Sequence, residues 1–224
     1  MYGYQPLFQD RTEAGQRLAQ LLIPYRDASP VVLALPRGGV PIGYEIALML
    51  SAPLDLVLVR KIGAPINPEF GIGAVVDGQS PVTVIDEDLV RRVGISEAYI
   101  ERTTQAELEE IERRRALYLK GRPPVDIKGR TAIVVDDGIA TGSTMRVALR
   151  ALRAAQPARL VMAVPVAPPD TLEEMRSDCD EAVCLATPED FRAVGAFYRD
   201  FQQVGDAEVI DLLDRAASPG TASA

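Results

Sequence analysis

The sequence predicts an α/β fold of three layers, in which a mostly parallel, twisted sheet lies between helices. Apolar runs of strand length alternate with segments of helical periodicity through most of the 224 residues, which is typical of parallel sheets. The strands are nearly continuous in apolar residues, which indicates that both of their faces are buried. Ligands of such sheets bind beyond the carboxyl ends of the strands. The strand ends expected to bring their loops to one edge are Leu35, Val59, Val135 and Val166.

Composition excludes several classes of function. A net charge of −8 argues against a general nucleic-acid surface, so no nucleic-acid partner is expected. Because the chain has no histidine, Ser–His and Cys–His nucleophilic schemes and the commonest zinc sites are excluded. Cys179 and Cys184 are expected to be small buried apolar residues and not a disulfide. The first eleven residues lack signal-peptide features, and the apolar run 42–50 is too short for a bilayer, so a cytoplasmic protein without membrane contact is expected.

The first elements follow from periodicity. Ala14, Leu18 and Leu21 have the spacing of one helix face, and either Asp10 or Thr12 is suited to cap that helix. The expected elements before residue 62 are a helix over 10–23, a strand over 31–35, a helix ending at 50 and a third strand over 54–59.

The middle of the chain is irregular and polar. Residues 62–78 are rich in glycine and proline, which predicts either a long mobile loop or an irregular hairpin. A long, mostly polar helix is expected over 96–119, with Ser96 as its N-cap. Its cluster Arg113–Arg115 is interpreted as a solvated helix end, with a phosphate contact as the alternative. Shorter elements are expected over 73–76 and 82–85 as strands and over 86–93 as one or two helical turns.

The C-terminal half continues the alternation. Pro165 predicts that its strand ends irregularly or lies at a sheet edge. The aromatic segment 191–201 is expected to cover one end of the sheet, and residues 216–224 are expected to form a disordered tail. The expected elements are strands over 131–135, 160–166 and 181–186 and helices over 145–155, 170–176 and 206–213.

The stretch TAIVVDDGIATGST, residues 131–144, carries the clearest chemical signal. A buried strand ends in Asp136 and Asp137, and a loop of small residues, 138–144, then leads into a helix. Backbone N–H groups at a helix start bind phosphate, and the helix dipole adds attraction. The two carboxylates can accept hydrogen bonds from vicinal hydroxyls. The stretch therefore predicts a site for a phosphorylated polyol.

A second strand–loop–helix junction has the sequence PRGGVP at residues 36–41. Its two glycines allow close backbone approach to a ligand, and Arg37 adds a cation. For this loop alone, a plain turn into a helix is an alternative of equal weight. The third strand closes with two further cations, Arg60 and Lys61.

These three segments, in this order, resemble the motifs of the type I phosphoribosyltransferases. VVDDGIATGST is similar to the family's phosphoribosyl-pyrophosphate-binding motif, LPRGGVP to its pyrophosphate loop, and Arg60–Lys61 to its basic strand end. The resemblance implies the family fold with a small hood and a homo-oligomer, as a dimer. It also implies one domain over 1–215, with a core at about 25–187, a hood from 1–24 and 188–215 and a lid region at about 62–120.

The resemblance further implies a glycosyltransferase of the nucleotide-salvage type. The 5-phosphoribosyl group of phosphoribosyl pyrophosphate would pass to a nitrogenous base, with release of pyrophosphate. Mg²⁺ is the implied cofactor, held mainly by ligand and water oxygens, with Asp136 and Asp137 as the candidate protein ligands.

The resemblance assigns catalytic roles to Arg37, Lys61, Asp136 and Asp137, of which the acid pair would hold the ribose hydroxyls. It also implies a non-proline cis peptide between Pro36 and Arg37. The residues expected to bind substrate are Pro36, Gly38, Gly39, Arg60, Glu69, Gly138, Ile139, Ala140, Thr141, Gly142, Ser143 and Thr144.

Two positions bear on the acceptor base. Ala140 stands where the 6-oxopurine enzymes of the family carry an acid, which argues against hypoxanthine or guanine recognition of that type. Glu69–Phe70–Gly71 partly matches the lid sequence of adenine-type enzymes, although a solvated loop acid is the alternative reading of Glu69. The acceptor is left open.

Two other functions were weighed against the enzyme. The same fold can serve as a non-catalytic sensor of phosphoribosyl pyrophosphate that regulates transcription or an RNA attenuator. The intact PRGG loop and the acidic charge balance favour the enzyme. A pyrophosphokinase that makes the sugar diphosphate would need ATP-binding halves of greater length.

Overall fold

A computed structural model of the chain describes residues 6–67, 70–77 and 81–218. Its strands are β1 (Pro30–Ala34), β2 (Leu54–Leu56), β3 (Val59–Gly63), β4 (Gly71–Val76), β5 (Val82–Ile85), β6 (Thr131–Val135), β7 (Arg159–Val166) and β8 (Glu181–Ala186). Its helices are α1 (Arg11–Leu22), α2 (Gly39–Leu50), α3 (Glu87–Val93), α4 (Glu97–Leu119), α5 (Ser143–Ala154), α6 (Pro169–Met175) and α7 (Asp206–Ala217).

The main sheet has five strands in the order β2-β1-β6-β7-β8, and every neighbouring pair is parallel. Alternate residues of each central strand enter two separate apolar cores. Ile133 and Val135 pack on the side that includes α1, α2 and α7, whereas Ala132 and Val134 pack on the side of α5. This arrangement confirms the predicted three-layer fold, and it places the ends of β1, β6 and β7 at one edge of the sheet.

The prediction of a single strand over residues 54–59 is wrong. The structure divides it into β2, in the main sheet, and β3, in a second sheet of order β3-β4-β5. The N–H of Val57 still donates to Ala34 O of the main sheet at 3.0 Å, but the next N–H, of Leu58, donates to Asp77 Oδ1 at 2.7 Å. Val57 and Leu58 are both buried, so the apolar run continues across the point at which backbone hydrogen bonding passes from the main sheet to Asp77.

The second sheet is antiparallel, with β4 paired to both β3 and β5. The pairing of β3 with β4 agrees with the irregular hairpin predicted within 62–78, including a register shift at Ile62 and Gly63. The long helix α4 packs against β3 and begins at the predicted cap, since Ser96 Oγ accepts the N–H of Tyr99 at 3.3 Å.

The strand that contains Pro165 lies inside the sheet and not at its edge, because β7 is paired with β6 and β8. Its pairing with β6 runs from Arg159 to Ala163, so Pro165 stands beyond the end of that ladder and its missing N–H costs no hydrogen bond there.

Several boundaries differ by a few residues from those predicted. Helix α5 begins at Ser143, two residues before the expected start. Helix α7 continues to Ala217, so the first two residues of the predicted tail are helical, and 219–224 lie outside the described residues. The two cysteines are free thiols, as expected. None of the helices in the described ranges combines the length and apolar character that a bilayer crossing requires.

A buried charge cluster joins α4 to both sheets. Arg115 of α4 pairs with Asp77, and its Nη2 lies 3.8 Å from Asp55 Oδ1. Asp55 also accepts the N–H groups of Leu56 and Val125, both at 2.8 Å. Two nearly inaccessible carboxylates thus share one guanidinium.

This cluster predicts a pH-dependent stability difference. Burial raises the pKa of Asp77 to about 6, against an opposing effect of Arg115. A raised folded-state pKa stabilises the protein below the unfolded pKa near 4, and the contribution is lost as the pH rises past about 6. Relative to Asp77→Asn, the wild type should therefore lose roughly 2 kcal/mol of unfolding free energy between pH 4 and pH 7, measurable by urea denaturation. A difference that stays constant with pH would contradict this.

Candidate active site at the carboxyl edge of the main sheet

The acid pair lies directly beyond β6, at the centre of the sheet edge. The N–H of Asp137 donates to Asp136 Oδ1 at 2.8 Å, which folds the first carboxylate back over the chain. The hydroxyl of Tyr198 donates to the carbonyl of Asp137 at 2.6 Å. The aromatic segment predicted as a cover therefore contacts the site backbone directly.

Arg11, in the first turn of α1, is a site residue that sequence reasoning missed. Its Nε donates to Asp137 Oδ2 at 2.8 Å, and the two side chains are only 11% and 14% exposed. Its guanidinium also lies 3.9 Å from the ring centroid of Phe201 and donates from Nη1 to Gln202 O at 2.8 Å. Arg11 thus ties the N-terminal helix and the aromatic segment to the acid pair.

Burial dominates the electrostatics of this pair. It raises the pKa of Asp136 well above the usual range, and the neighbouring Asp137 raises it further. The pKa of Asp137 is also raised by burial, and Arg11 opposes that effect. Two buried, mutually repelling carboxylates favour hydrogen-bond donors and cations in their surroundings. Sugar hydroxyls and a metal ion are ligands of this kind.

The PRGG loop packs against the acid pair, and the peptide between Pro36 and Arg37 is cis, as the resemblance implied. A Cβ on Gly38 would lie 2.6 Å from Asp137 Cγ, and one on Gly39 would lie 2.7 Å from Val135 O. Only glycine fits at these two places, because the loop backbone touches β6 and the acids without space for a side chain. A plain turn into a helix, the alternative interpretation of this loop, would not require close contact with the acids.

Arg37 extends from this loop toward α7. Its Nη1 lies 3.5 Å from Asp206 Oδ1, and the hydroxyl of Tyr118, from α4, donates to the same carboxylate oxygen at 2.7 Å. The Arg37 and Asp206 side chains are 37% and 50% exposed, so this is a solvent-screened contact that a charged ligand can replace.

The loop 138–144 is exposed at Ala140, Thr141, Ser143 and Thr144 and is shaped by two buried glycines. Gly138, at φ +151°, lies against Val166 and Val194, where a Cβ would clash, and Gly142, at φ +68°, precedes the first turn of α5. Within the described residues, no side chain caps that helix. Its first N–H groups thus point into the loop, together with the exposed hydroxyls of Ser143 and Thr144.

Neighbouring contacts hold the rest of this loop in place. The N–H of Ile139 donates to Val166 O at 3.0 Å, and the hydroxyl of Thr171 donates to Ala140 O at 2.8 Å. Thr141 Oγ1 lies 3.3 Å from Ser143 Oγ, on the exposed side of the loop.

A polar cavity of about 200 Å³ lies between the PRGG loop and loop 138–144. It brings Arg60 to the site as predicted, although Val59 and Arg60 belong to the second sheet. Lys61 is not on its wall, and its stem packs near Gly71 of β4. Glu69 lies outside the described residues. The residues lining the cavity are Leu35, Pro36, Val57, Leu58, Val59, Arg60, Arg114, Asp136 and Thr144.

The donor set fits a metal ion that is held mostly by its ligand. Across the described ranges, no group of three or more His, Cys, Asp or Glu side chains could hold a metal by itself. Asp136 and Asp137 together offer carboxylate oxygens. One or two carboxylates completed by phosphate and water oxygens are the usual protein environment of Mg²⁺.

Comparison with known proteins shows the family of this chain. A model of the phosphoribosyl transferase domain matches residues 9–202, a range that includes Arg11, the PRGG loop, the acid pair and loop 138–144. The chain belongs to the phosphoribosyl transferase family. The family predicted from the three motifs is thereby confirmed.

Two relatives of this phosphoribosyl transferase domain come from strains of Mycobacterium tuberculosis, and each is named "Putative phosphoribosyl transferase". They are 44% identical over 210 residues, which covers 94% of this chain and 47% of each relative. The chain thus spans about half the length of these curated relatives. A protein of known crystal structure from Thermus thermophilus is 43% identical, with a TM-score of 0.80 over 92% of this chain and 97% of its own.

Replacing Arg11 should destabilise this phosphoribosyl transferase domain. Arg11→Ala leaves the buried Asp137 carboxylate without its cation, and removing one partner of a buried pair costs about 3 kcal/mol. The matched control is Arg91→Ala, which removes an exposed ion pair on α3 and should cost at most about 1 kcal/mol. Urea denaturation measures both variants, and equal losses would contradict the structural role of Arg11.

Proposed function

We propose that this domain transfers the 5-phosphoribosyl group of phosphoribosyl pyrophosphate to a nitrogenous base and releases pyrophosphate. One observation carries the proposal: Arg60 and one residue each of the PRGG loop, the acid pair and loop 138–144 line one cavity, and the PRGG loop packs against the acid pair. Sugar hydroxyls, a terminal phosphate and a diphosphate each find a suitable partner there. The family to which the chain belongs supports the same assignment.

In the proposed complex, loop 138–144 binds the 5′-phosphate. The uncapped start of α5 supplies backbone N–H groups, and Thr141, Ser143 and Thr144 supply hydroxyls. Asp136 and Asp137 accept hydrogen bonds from the ribose hydroxyls, which would fix the sugar with its anomeric carbon toward the PRGG loop.

The leaving pyrophosphate lies on the other side of the cavity. Arg37 and the backbone of Gly38 and Gly39 hold it, and Arg60 adds charge from β3. Mg²⁺ would neutralise the diphosphate, bound mainly through ligand oxygens with the acid pair as its protein ligands.

The residues act by positioning and by electrostatics. The bond from the anomeric carbon to pyrophosphate breaks as a ring nitrogen of the base approaches the opposite face, and cationic side chains stabilise the charge that leaves. The segment around Tyr198 and Phe201 lies over the acid pair and is placed to exclude water from it. The proposal also includes a lid formed by residues at about 62–120 and a homodimeric protein.

The test is a panel of purines, pyrimidines and simple amines, each incubated with phosphoribosyl pyrophosphate and Mg²⁺ while pyrophosphate release is measured. Release that depends on one class of base supports the enzyme and names its acceptor. Tight binding of phosphoribosyl pyrophosphate without release on any base would instead favour the sensor. Absence of binding would remove the proposal altogether.

A further inference from the structure

We propose that Arg114, from the last turns of α4, is a further pyrophosphate-binding residue of this site. The inference rests on the proposed function and extends it to a helix that contributes none of the three motifs. Arg114 lines the cavity between the two ligand loops, together with Pro36, Arg60, Asp136 and Thr144.

The position of Arg114 complements the other cations. Arg60 lies on the same cavity wall, and Arg37 approaches from the PRGG loop toward Tyr118 and Asp206. The hydrogen bond from Tyr118 lowers the pKa of Asp206, and the charges of Arg37 and Arg114 lower it further. The cavity wall thus carries two guanidiniums, from β3 and α4, and Pro36 on the same wall is followed in the chain by Arg37. A diphosphate is the part of the proposed substrate with enough negative charge to occupy this cavity.

The resting contact of Arg114 is suited to exchange with a ligand. Its Nε donates to Glu110 Oε1 at 2.7 Å, and Glu110 also accepts from Arg113. The Arg114 and Glu110 side chains are 34% and 27% exposed, so water screens this pair and it adds little stability. The hydrogen bond to Glu110 uses only Nε of Arg114. The two terminal nitrogens of the guanidinium can therefore bind phosphate oxygens in the bidentate geometry that arginine favours.

Arg113 provides a matched control within the same helix. It pairs with the same Glu110 carboxylate, its side chain is 64% exposed, and it is not on the cavity wall. Alanine at either position removes one positive charge and one ion pair with Glu110. The two variants differ in that only Arg114 lines the cavity.

The experiment is calorimetric titration of inorganic pyrophosphate, with Mg²⁺, into the full chain and into Arg114→Ala, Arg113→Ala and Arg114→Lys. We expect Arg114→Ala to bind pyrophosphate roughly 10- to 100-fold more weakly than the wild type, since a charge-assisted contact is lost. Arg113→Ala should stay within about twofold, and Arg114→Lys should fall between them because lysine keeps the charge without the fork. Ribose 5-phosphate, which lacks the diphosphate, should bind Arg114→Ala and wild type equally.

The possible results separate the two proposals. Unchanged pyrophosphate affinity in Arg114→Ala, or equal losses in the two alanine variants, overturns the role of Arg114 and leaves the proposed function intact. A wild type that binds neither phosphoribosyl pyrophosphate nor pyrophosphate overturns the proposed function, and this inference with it. Thermal melting checks folding, and if Arg114→Ala melts early, Arg114→Lys with Arg113→Lys gives the same comparison.

Discussion

Replacement of Asp136 and Asp137 by asparagine in one variant is expected to weaken binding of phosphoribosyl pyrophosphate by roughly 10²–10⁴-fold. Each carboxylate would lose a charge-assisted hydrogen bond to a ribose hydroxyl, and such bonds contribute about 1.5–3 kcal/mol each. The variant keeps the shape of both side chains. Isothermal titration calorimetry with Mg²⁺ present measures the effect.

Stability distinguishes this loss from misfolding. Asparagine at position 136 should not lower the unfolding free energy, because burial raises the pKa of Asp136 well above its usual range and its charge is costly in the folded state. Asparagine at position 137 leaves the buried Arg11 without its charged partner and should lower the unfolding free energy, so urea denaturation must show that the variant is folded under the titration conditions. The charge-matched control is Asp211→Asn with Asp214→Asn on α7, which changes exposed ion pairs and should leave affinity unchanged. Wild-type affinity in the acid-pair variant would refute the site.

Substitution of Gly38 by alanine is expected to reduce affinity for phosphoribosyl pyrophosphate by roughly 10- to 100-fold. The added Cβ would stand 2.6 Å from Asp137 Cγ, so the acid or the loop must move, and overpacking of this kind costs about 1–3 kcal/mol. That movement would misplace the ribose contact and the pyrophosphate backbone contact together.

Gly205→Ala is the control for Gly38→Ala. A Cβ at Gly205 meets nothing within 4 Å, and its φ of −87° suits alanine. It should bind phosphoribosyl pyrophosphate like the wild type. If Gly38→Ala also retained full affinity, the close contact between the PRGG loop and Asp137 would have no part in binding.

The central strands were predictable because their signal is local. Residues 132–135 are apolar without interruption, and the structure buries these four and Thr131. The helix cap at Asp10 was also predictable, since its carboxylate accepts the N–H of Glu13 three residues later. Such features depend on neighbours within one turn or one strand.

The features that sequence reasoning missed depend on distant residues. The strand over 54–59 divides because Asp77, far along the chain, accepts the N–H of Leu58. Arg11 has no motif around it, and only folding brings it to Asp137. The cluster Arg113–Arg115 was interpreted as a solvated helix end, yet Arg115 is part of a buried ion cluster and Arg114 lines the cavity.

The candidate site was predictable to the extent that its motifs are contiguous. The acid pair and its loop are consecutive in the chain, as are the residues of the PRGG loop. Their mutual contact required the parallel pairing of β1 with β6, which sets Leu35 beside Val135. Under the proposed function, the acceptor base would be selected by the covering segment, where the local sequence carries no equivalent signal.

The most direct measurement is a crystal structure of the protein with phosphoribosyl pyrophosphate and Mg²⁺. Our account predicts the 5′-phosphate on loop 138–144, the ribose hydroxyls on Asp136 and Asp137, and the diphosphate between Arg37 and Arg60. A ligand bound elsewhere, or one whose diphosphate lies away from the PRGG loop, would contradict it.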